Sequence, residues 1–309
     1  MTADPTPARP ARLVRLGLQI QPQHASYDQI RRTADAAERL GVDVLFTWDH
    51  FFPLSGDPDG MHFECWTTLA AWAEQTDRVE IGALVTCNSY RNPELLADMA
   101  RTVDHISAGR LVLGIGAGWF ARDYDEYGYA FGTAGRRLDD LATAMPRIRA
   151  RWAALNPPPT RDIPVLIGGG GERKTLRIVA EHAQVWHSFA DAAELTRKSA
   201  VLDRWCAGLG RDAGEIERSV SVPRTWAPDE VARPLLDAGA TLFVVDTSGP
   251  DHDLAGLAAW VAWRDRQNDL RAPESAARQR GRGRRTRAVR SERTWCGARR
   301  GHRPRGTSG

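Results

Sequence analysis

The chain has 309 residues, 42% of them hydrophobic, enough for one large α/β domain or two ordinary ones. No run approaches eighteen apolar residues, so no membrane-spanning helix is expected, and "MTADPTPARPARLV" lacks the apolar stretch of a secretory signal. The net charge of +3 hides two unlike parts: residues 271–309 hold 13 arginines against Glu274 and Glu292, and +11 there leaves −8 for the first 270 residues, which carry no nucleic-acid footprint.

After a lead-in expected to be disordered (residues 1–11), "VRLGLQI" (14–20) has the length and composition of a strand. "YDQIRRTADAAERLG" places Ile30, Ala34, Ala37 and Leu40 at helical spacing and stops at Gly41, the residue type that closes helices. "VDVLFTWDH" (42–50) is the second strand, "WTTLAAWAEQT" (66–76) a helix and "RVEIGALVT" (78–86) the third strand. "NPELLADMARTVDHISAG" (92–109) is a helix with Asn92 as N-cap and Pro93 in its first position. "RLVLGIGAGW" (110–119) is the fourth strand with a glycine-rich exit. Helices over 136–153, 172–182, 191–209 and 228–238 then alternate with strands over 163–167, 184–188, 217–222 and 241–245, and a last helix covers about 251–266.

Eight short apolar strands, each followed by a helix, predict a parallel sheet buried on both faces. Their span, residues 12–268, suits a single (β/α)8 TIM barrel. A doubly wound open sheet would more often carry a phosphate loop after its first strand, and "LGLQIQPQH" holds none. The Arg-rich, low-complexity segment 269–309 lacks periodicity and is expected to be a disordered tail, read as a solvated extension ahead of a nucleic-acid or membrane-surface arm. Cys65, Cys87, Cys206 and Cys296 form no C-x-x-C pair, which argues against a zinc ribbon or disulfide scaffold and fits a cytoplasmic protein.

Barrel chemistry is expected at the C-terminal strand ends. His50, beside Asp49 at the end of the second strand, suits acid–base work, with a satisfied histidine on the barrel rim as the alternative. His50, His62, Glu64 and His105 lack any compact ligand spacing, so no metal is expected, and no G-x-S-x-G marks a serine nucleophile. "LGIGAGW" carries Gly114, Gly116 and Gly118, but a dinucleotide fingerprint would need glycine at Trp119. Its glycines serve either close approach of a planar ring or tight barrel packing. "PVLIGGGGERKT" (164–175) misses a P-loop because Arg173 stands where its last glycine belongs. Gly168, Gly169, Gly170 and Gly171 between a strand and a helix instead suit a phosphate cradle, to which Arg173 or Lys174 could add charge, with a plain tight βα turn as the alternative.

"TWDHFFPL", "ALVTCNSYRNPELLADMARTVDHISAGRLVLGIGAGW" and "IPVLIGGGGERKTLRIVAEHA" together resemble the luciferase-like monooxygenase superfamily, closest in its branch dependent on the deazaflavin coenzyme F420. The resemblance implies a barrel with the deazaflavin at its C-terminal face and a non-prolyl cis peptide near Leu84–Val85, so that Leu84, Val85 and Thr86 adjoin the ring. It implies that Gly168–Gly171 hold the coenzyme phosphate, that Ala117 and Gly118 offer backbone contacts, and that Asp49 and His50 stand at the reactive edge with His50 as the acid. Two departures concern the related sugar-phosphate dehydrogenase: Trp119 replaces its acidic residue and Leu54 its tryptophan. Sugar-phosphate oxidation is therefore not the expectation. "ALNPPPTRDI", before the fifth strand, is also shorter than the family's usual covering segment. The function expected is F420-dependent hydride transfer with a small organic molecule, with an FMN-dependent monooxygenase or a non-catalytic deazaflavin carrier as alternatives. Relatives often form homodimers, although no interface is legible in the sequence.

Overall fold

The computed structural model describes residues 12–224 and 227–271; the expected lead-in, and the tail from 272 onward, lie outside them. Strands β1 (Arg15–Ile20), β2 (Val44–Thr47), β3 (Glu80–Ala83), β4 (Thr86–Cys87), β5 (Leu111–Gly116), β6 (Val165–Gly168), β7 (Val185–Ser188), β8 (Glu217–Val222) and β9 (Ala240–Thr247) pair in parallel. The order runs β3-β2-β1-β9-β8-β7-β6-β5-β4, and β3 also pairs with β5, which closes the ring. Nine strand segments make eight staves because β3 and β4 are halves of one stave. Ile81 of β3 lies opposite Leu111, and Thr86 of β4 lies opposite Ile115. Between the halves the Leu84–Val85 peptide bond is cis, at the position the family resemblance implies. The architecture is the TIM barrel expected from the alternation of elements.

The helices are α1 (Tyr27–Leu40), α2 (Cys65–Gln75), α3 (Pro93–Ile106), α4 (Ala121–Tyr127), α5 (Ala134–Ala154), α6 (Thr175–His182), α7 (Ala192–Gly208), α8 (Pro228–Asp237) and α9 (Leu257–Arg271). Their ends follow local chemistry. Ser26 and Gln29 form a capping box at the start of α1, and Gly41 ends it in the left-handed conformation at φ 101°. Asn92 accepts from the Glu94 and Leu95 amides, with Pro93 first in α3.

Beyond shifts of a few residues at element ends, three departures from the sequence reading stand out. Helix α4 was not anticipated, since its seven residues are too few to show a periodicity. Helix α6 starts at Thr175 instead of 172. The Leu176 N–H donates to the Gly171 carbonyl (2.9 Å), closing a wide turn that keeps Glu172, Arg173 and Lys174 outside the helix. Helix α9 starts at Leu257 and runs to Arg271, so it includes three residues assigned to the tail. Asn268 holds it to the barrel, accepting from the Val14 N–H (2.7 Å) and donating to the Val14 carbonyl (2.9 Å).

Strand alternation divides the core. Leu16, Leu18, Ile81, Leu113 and Val245 pack outward in the cluster that includes the helices. Val44, Phe46, Leu84, Val112, Leu166, Val185, Leu242 and Val244 face inward and plug the barrel. Continuing each stave two residues beyond that plug reaches the C-terminal mouth.

Candidate active site

Two unlike walls line the mouth. On one side the inward positions after Val112 and Leu166 are Gly114, Gly116 and Gly168. A Cβ at Gly114 would collide with the Ala83 carbonyl oxygen. At Gly116 it would stand 2.8 Å from Val85 Cγ2, and at Gly168 3.1 Å from Val85 Cγ1. These glycines accommodate the Leu84–Val85 segment, so tight packing accounts for Gly114 and Gly116. Val85 thereby gathers the third, fourth and fifth staves around one side chain.

On the other side the inward positions are polar: Gln19, His187, Ser219, Ser221 and Asp246. Gln19 donates to the Leu84 carbonyl (2.9 Å), and Gln21 to Asp246 (2.9 Å). His187 Nδ1 meets the Ser219 hydroxyl at 2.9 Å, and its Nε2 meets Ser221 at 3.2 Å. Burial pushes His187 down from 6.5 to about 4 and keeps it neutral when folded. The unfolded chain binds that proton near pH 6.5, so this contribution to stability is complete above that pH and is lost as pH falls toward 4. The loss is expected to reach ~3 kcal/mol. Melting temperatures from pH 7 to 4 test it: His187→Asn should decline less steeply than wild type, and parallel curves would count against it.

His50 stands just beyond β2, 8% exposed, with rings on three sides. Trp48, Trp119 and Phe120 present edge-on contacts at centroid distances of 6.2, 5.7 and 5.5 Å. Its Nδ1 lies 2.6 Å from Oδ2 of Asp123, a fully buried carboxylate on α4. Asp123 also accepts from the Tyr90 hydroxyl (2.7 Å) and the Phe51 N–H (3.0 Å). Burial opposes ionisation of Asp123, but these hydrogen bonds outweigh it and hold the carboxyl below its ordinary range. Burial also raises the Tyr90 phenol, which therefore stays protonated.

Asp49 turns the other way. Its buried carboxylate grips Arg91 through both oxygens (2.6 and 3.1 Å) and accepts from the Cys87 N–H (3.1 Å). Arg91 also reaches Glu64 at 2.7 Å. The Thr86 side chain is likewise buried, accepting from the Trp66 indole at 3.1 Å. Of the expected coenzyme contacts, then, Asp49 and Thr86 direct their side chains into protein and brace β4. The Ala117 carbonyl lies 3.4 Å from the Tyr124 hydroxyl, and the Gly118 carbonyl accepts from Arg137 at 3.1 Å. Gly118 takes φ 80°, where a Cβ would collide with that hydroxyl.

The glycine quartet opens onto a cleft of about 660 Å³ lined by Gly170, Gly171, Arg173, Lys174, Arg197 and Lys198, among others. Gly169, at φ 125°, turns the chain, and its carbonyl accepts from the Trp186 indole at 2.7 Å. Lys174 is committed to Asp139 (2.6 Å) and the Gly135 carbonyl (3.1 Å). The ammonium over the glycines is instead that of Lys198 on α7, paired with Glu194 (2.8 Å) and so close that a Cβ at Gly170 would displace it. The chain's only two lysines therefore meet at one loop. Among the described residues no group of three or more His, Cys, Asp or Glu is placed to hold a metal ion, and no helix is long and apolar enough to cross a membrane.

Sequence reasoning missed Asp123, Tyr90, Arg91 and Lys198. For Asp123 a faint signal existed: it follows Trp119, which stands where the related sugar-phosphate dehydrogenase has an acid, by four residues.

A model of the family described as luciferase-like monooxygenase matches residues 12–296. An uncharacterised protein of Mycobacterium tuberculosis is 26% identical over 68% of this chain and 79% of its own length. The F420-dependent glucose-6-phosphate dehydrogenase of Amycolatopsis mediterranei is 29% identical, over 48% of this chain and 47% of that enzyme, so about half of each is matched. Among solved structures, an F420-dependent secondary alcohol dehydrogenase in complex with an F420-acetone adduct superposes with a TM-score of 0.71 at 17% identity. That match covers 81% of this chain and 97% of the other.

Proposed function

Because the chain belongs to the luciferase-like monooxygenase family, we propose that it is an F420-dependent oxidoreductase acting on a small organic substrate, with His50 as its acid–base group. The observation that carries this reading is a histidine anchored through Nδ1, at the same barrel mouth as a glycine wall backed by Val85. The glycine loop suits a phosphorylated coenzyme: Gly170 puts no side chain between its backbone and the Lys198 ammonium, and Arg173, Lys174, Arg197 and Lys198 line the cleft against two carboxylates, Glu172 and Glu194. When bound, F420 supplies hydride chemistry at C5 of the deazaflavin.

The chain's own residues handle the proton and the surroundings. His50 takes or gives a proton at Nε2, the ring nitrogen without a hydrogen bond among the described residues. Trp119 and Phe120 shield its ring from water. Arg91 is committed to Asp49 and Glu64, so this corner offers no spare cation to a phosphate ester. With Trp119 and Leu54 at their positions, this favours a neutral substrate over a sugar phosphate.

Parallel fluorescence titrations with F420 and FMN test the proposal. F420 is expected to bind in the micromolar range and FMN at least tenfold more weakly. The reverse order would make the protein a flavin monooxygenase, and failure of F420 to bind at about 50 µM would remove the reading. Tight binding with no turnover across a wide panel of alcohols and ketones would leave a coenzyme carrier.

A further inference from the structure

We infer that Asp123 is a positioning residue for His50: it fixes the imidazole as the Nδ1–H tautomer and leaves Nε2 as the atom that exchanges a proton with substrate. Only the last clause rests on the functional reading above.

Three groups converge on the Asp123 carboxylate: His50 Nδ1 and the Tyr90 hydroxyl at Oδ2, and the Phe51 N–H at Oδ1. The Phe51 amide can only donate. An ionised carboxylate has no proton to give, so each close partner must supply one. A neutral imidazole protonated at Nδ1 carries its lone pair at Nε2. At 2.6 Å, wholly buried, the contact has the length of a charge-assisted hydrogen bond and also orients the ring.

Other groups facing the ring do not compete for Nδ1. His62, from the segment before α2, accepts from the Trp48 indole (3.1 Å), and burial pushes it down to about 4, so it is neutral. Asp49 and Arg91 are spent on each other. Trp119 and Phe120 meet the ring with edges and offer it no carboxylate. Asp123 is thus the carboxylate that holds Nδ1.

Asparagine cannot reproduce this arrangement. The Phe51 N–H and His50 Nδ1–H each need an acceptor, and an amide has only one oxygen. Each orientation sets donor against donor: with the oxygen on Phe51 the amide nitrogen faces Nδ1 and drives the proton to Nε2, and with it on His50 and Tyr90 the amide nitrogen faces the Phe51 N–H.

Long-range 1H–15N spectra of the 15N-histidine-labelled full chain at pH 8 read the tautomer directly, with His50→Gln identifying the signals. The expected result is a protonated Nδ1 and a bare Nε2 in wild type, shifted toward Nε2–H in Asp123→Asn. Tyr90→Phe should leave the tautomer unchanged. On any substrate that is turned over, kcat of Asp123→Asn is expected to fall roughly 10²-fold or more while the coenzyme Kd is kept. An Nε2–H tautomer in wild type overturns the inference, as does a switch produced by Tyr90→Phe. Should Asp123→Asn fail to fold, the wild-type spectrum decides alone. F420 titration of the same samples separates the two ideas: loss of coenzyme binding with the tautomer intact removes the functional reading and leaves the positioning role.

Discussion

Replacing His50 by alanine is expected to lower kcat by about 10²- to 10⁴-fold, the usual worth of a positioned acid or base, while F420 binds within a few-fold of wild type. The separation is expected because the phosphate site proposed above lies at Gly168–Gly171 and Lys198, whereas His50 is held by Asp123 and the Trp119 and Phe120 edges. Asp123 would keep its bonds from Tyr90 and Phe51, so the fold should survive the change. Fluorescence titration gives the coenzyme Kd, and loss of 420 nm absorbance gives turnover. A coenzyme affinity that falls in step with kcat would make His50 a binding group instead of an acid–base one.

Gly114→Ala should have the largest effect on stability. Its Cβ would run into the Ala83 carbonyl, and both partners are backbone, so no side chain can swing aside. The collision falls beside the β3–β5 pairing of Gly82 with Val112, where the ring closes. Overpacking of this kind costs ~3 kcal/mol, a fall in melting temperature of roughly 6–12 °C in a chain of this size. Gly128→Ala is the natural control: its φ is also positive, 69°, but nothing lies within 4 Å of the added carbon. It should cost about 1 kcal/mol through backbone strain alone. Equal melting temperatures for the two variants would show that the seam at Gly114 can yield.

The barrel was legible because its signals are local and repeated. Strand-length apolar runs alternate with helical periodicities, and Gly41, Asn92 and Pro93 announce helix ends through their own backbone preferences. The interruption at Leu84–Val85 came from the family resemblance, since nothing in "GALVT" distinguishes it from an ordinary strand. What stayed hidden was pairing across long separations. Asp123 meets His50 over 73 residues from a helix too short to carry a pattern. Lys198 belongs to a different helix from the loop it covers, whereas the neighbouring Lys174, which looked better placed, is drawn away by Asp139. Arg173 was assigned to a helix because composition does not reveal that the glycines are followed by a wide turn.

The two walls of the mouth differ in how freely they can be rewritten. At Gly114, Gly116 and Gly168 any added atom meets main chain or Val85, so drift there is penalised through the scaffold whatever the protein binds. Exchanges at Gln19, His187, Ser221 and Asp246 would cost side-chain hydrogen bonds such as Gln19 to the Leu84 carbonyl and His187 to Ser221, but no collision with main chain. A lineage built on this barrel would therefore hold one half of its mouth nearly constant while the other half explored new chemistries. An engineer seeking a new substrate should leave the glycine half untouched and randomise the polar one.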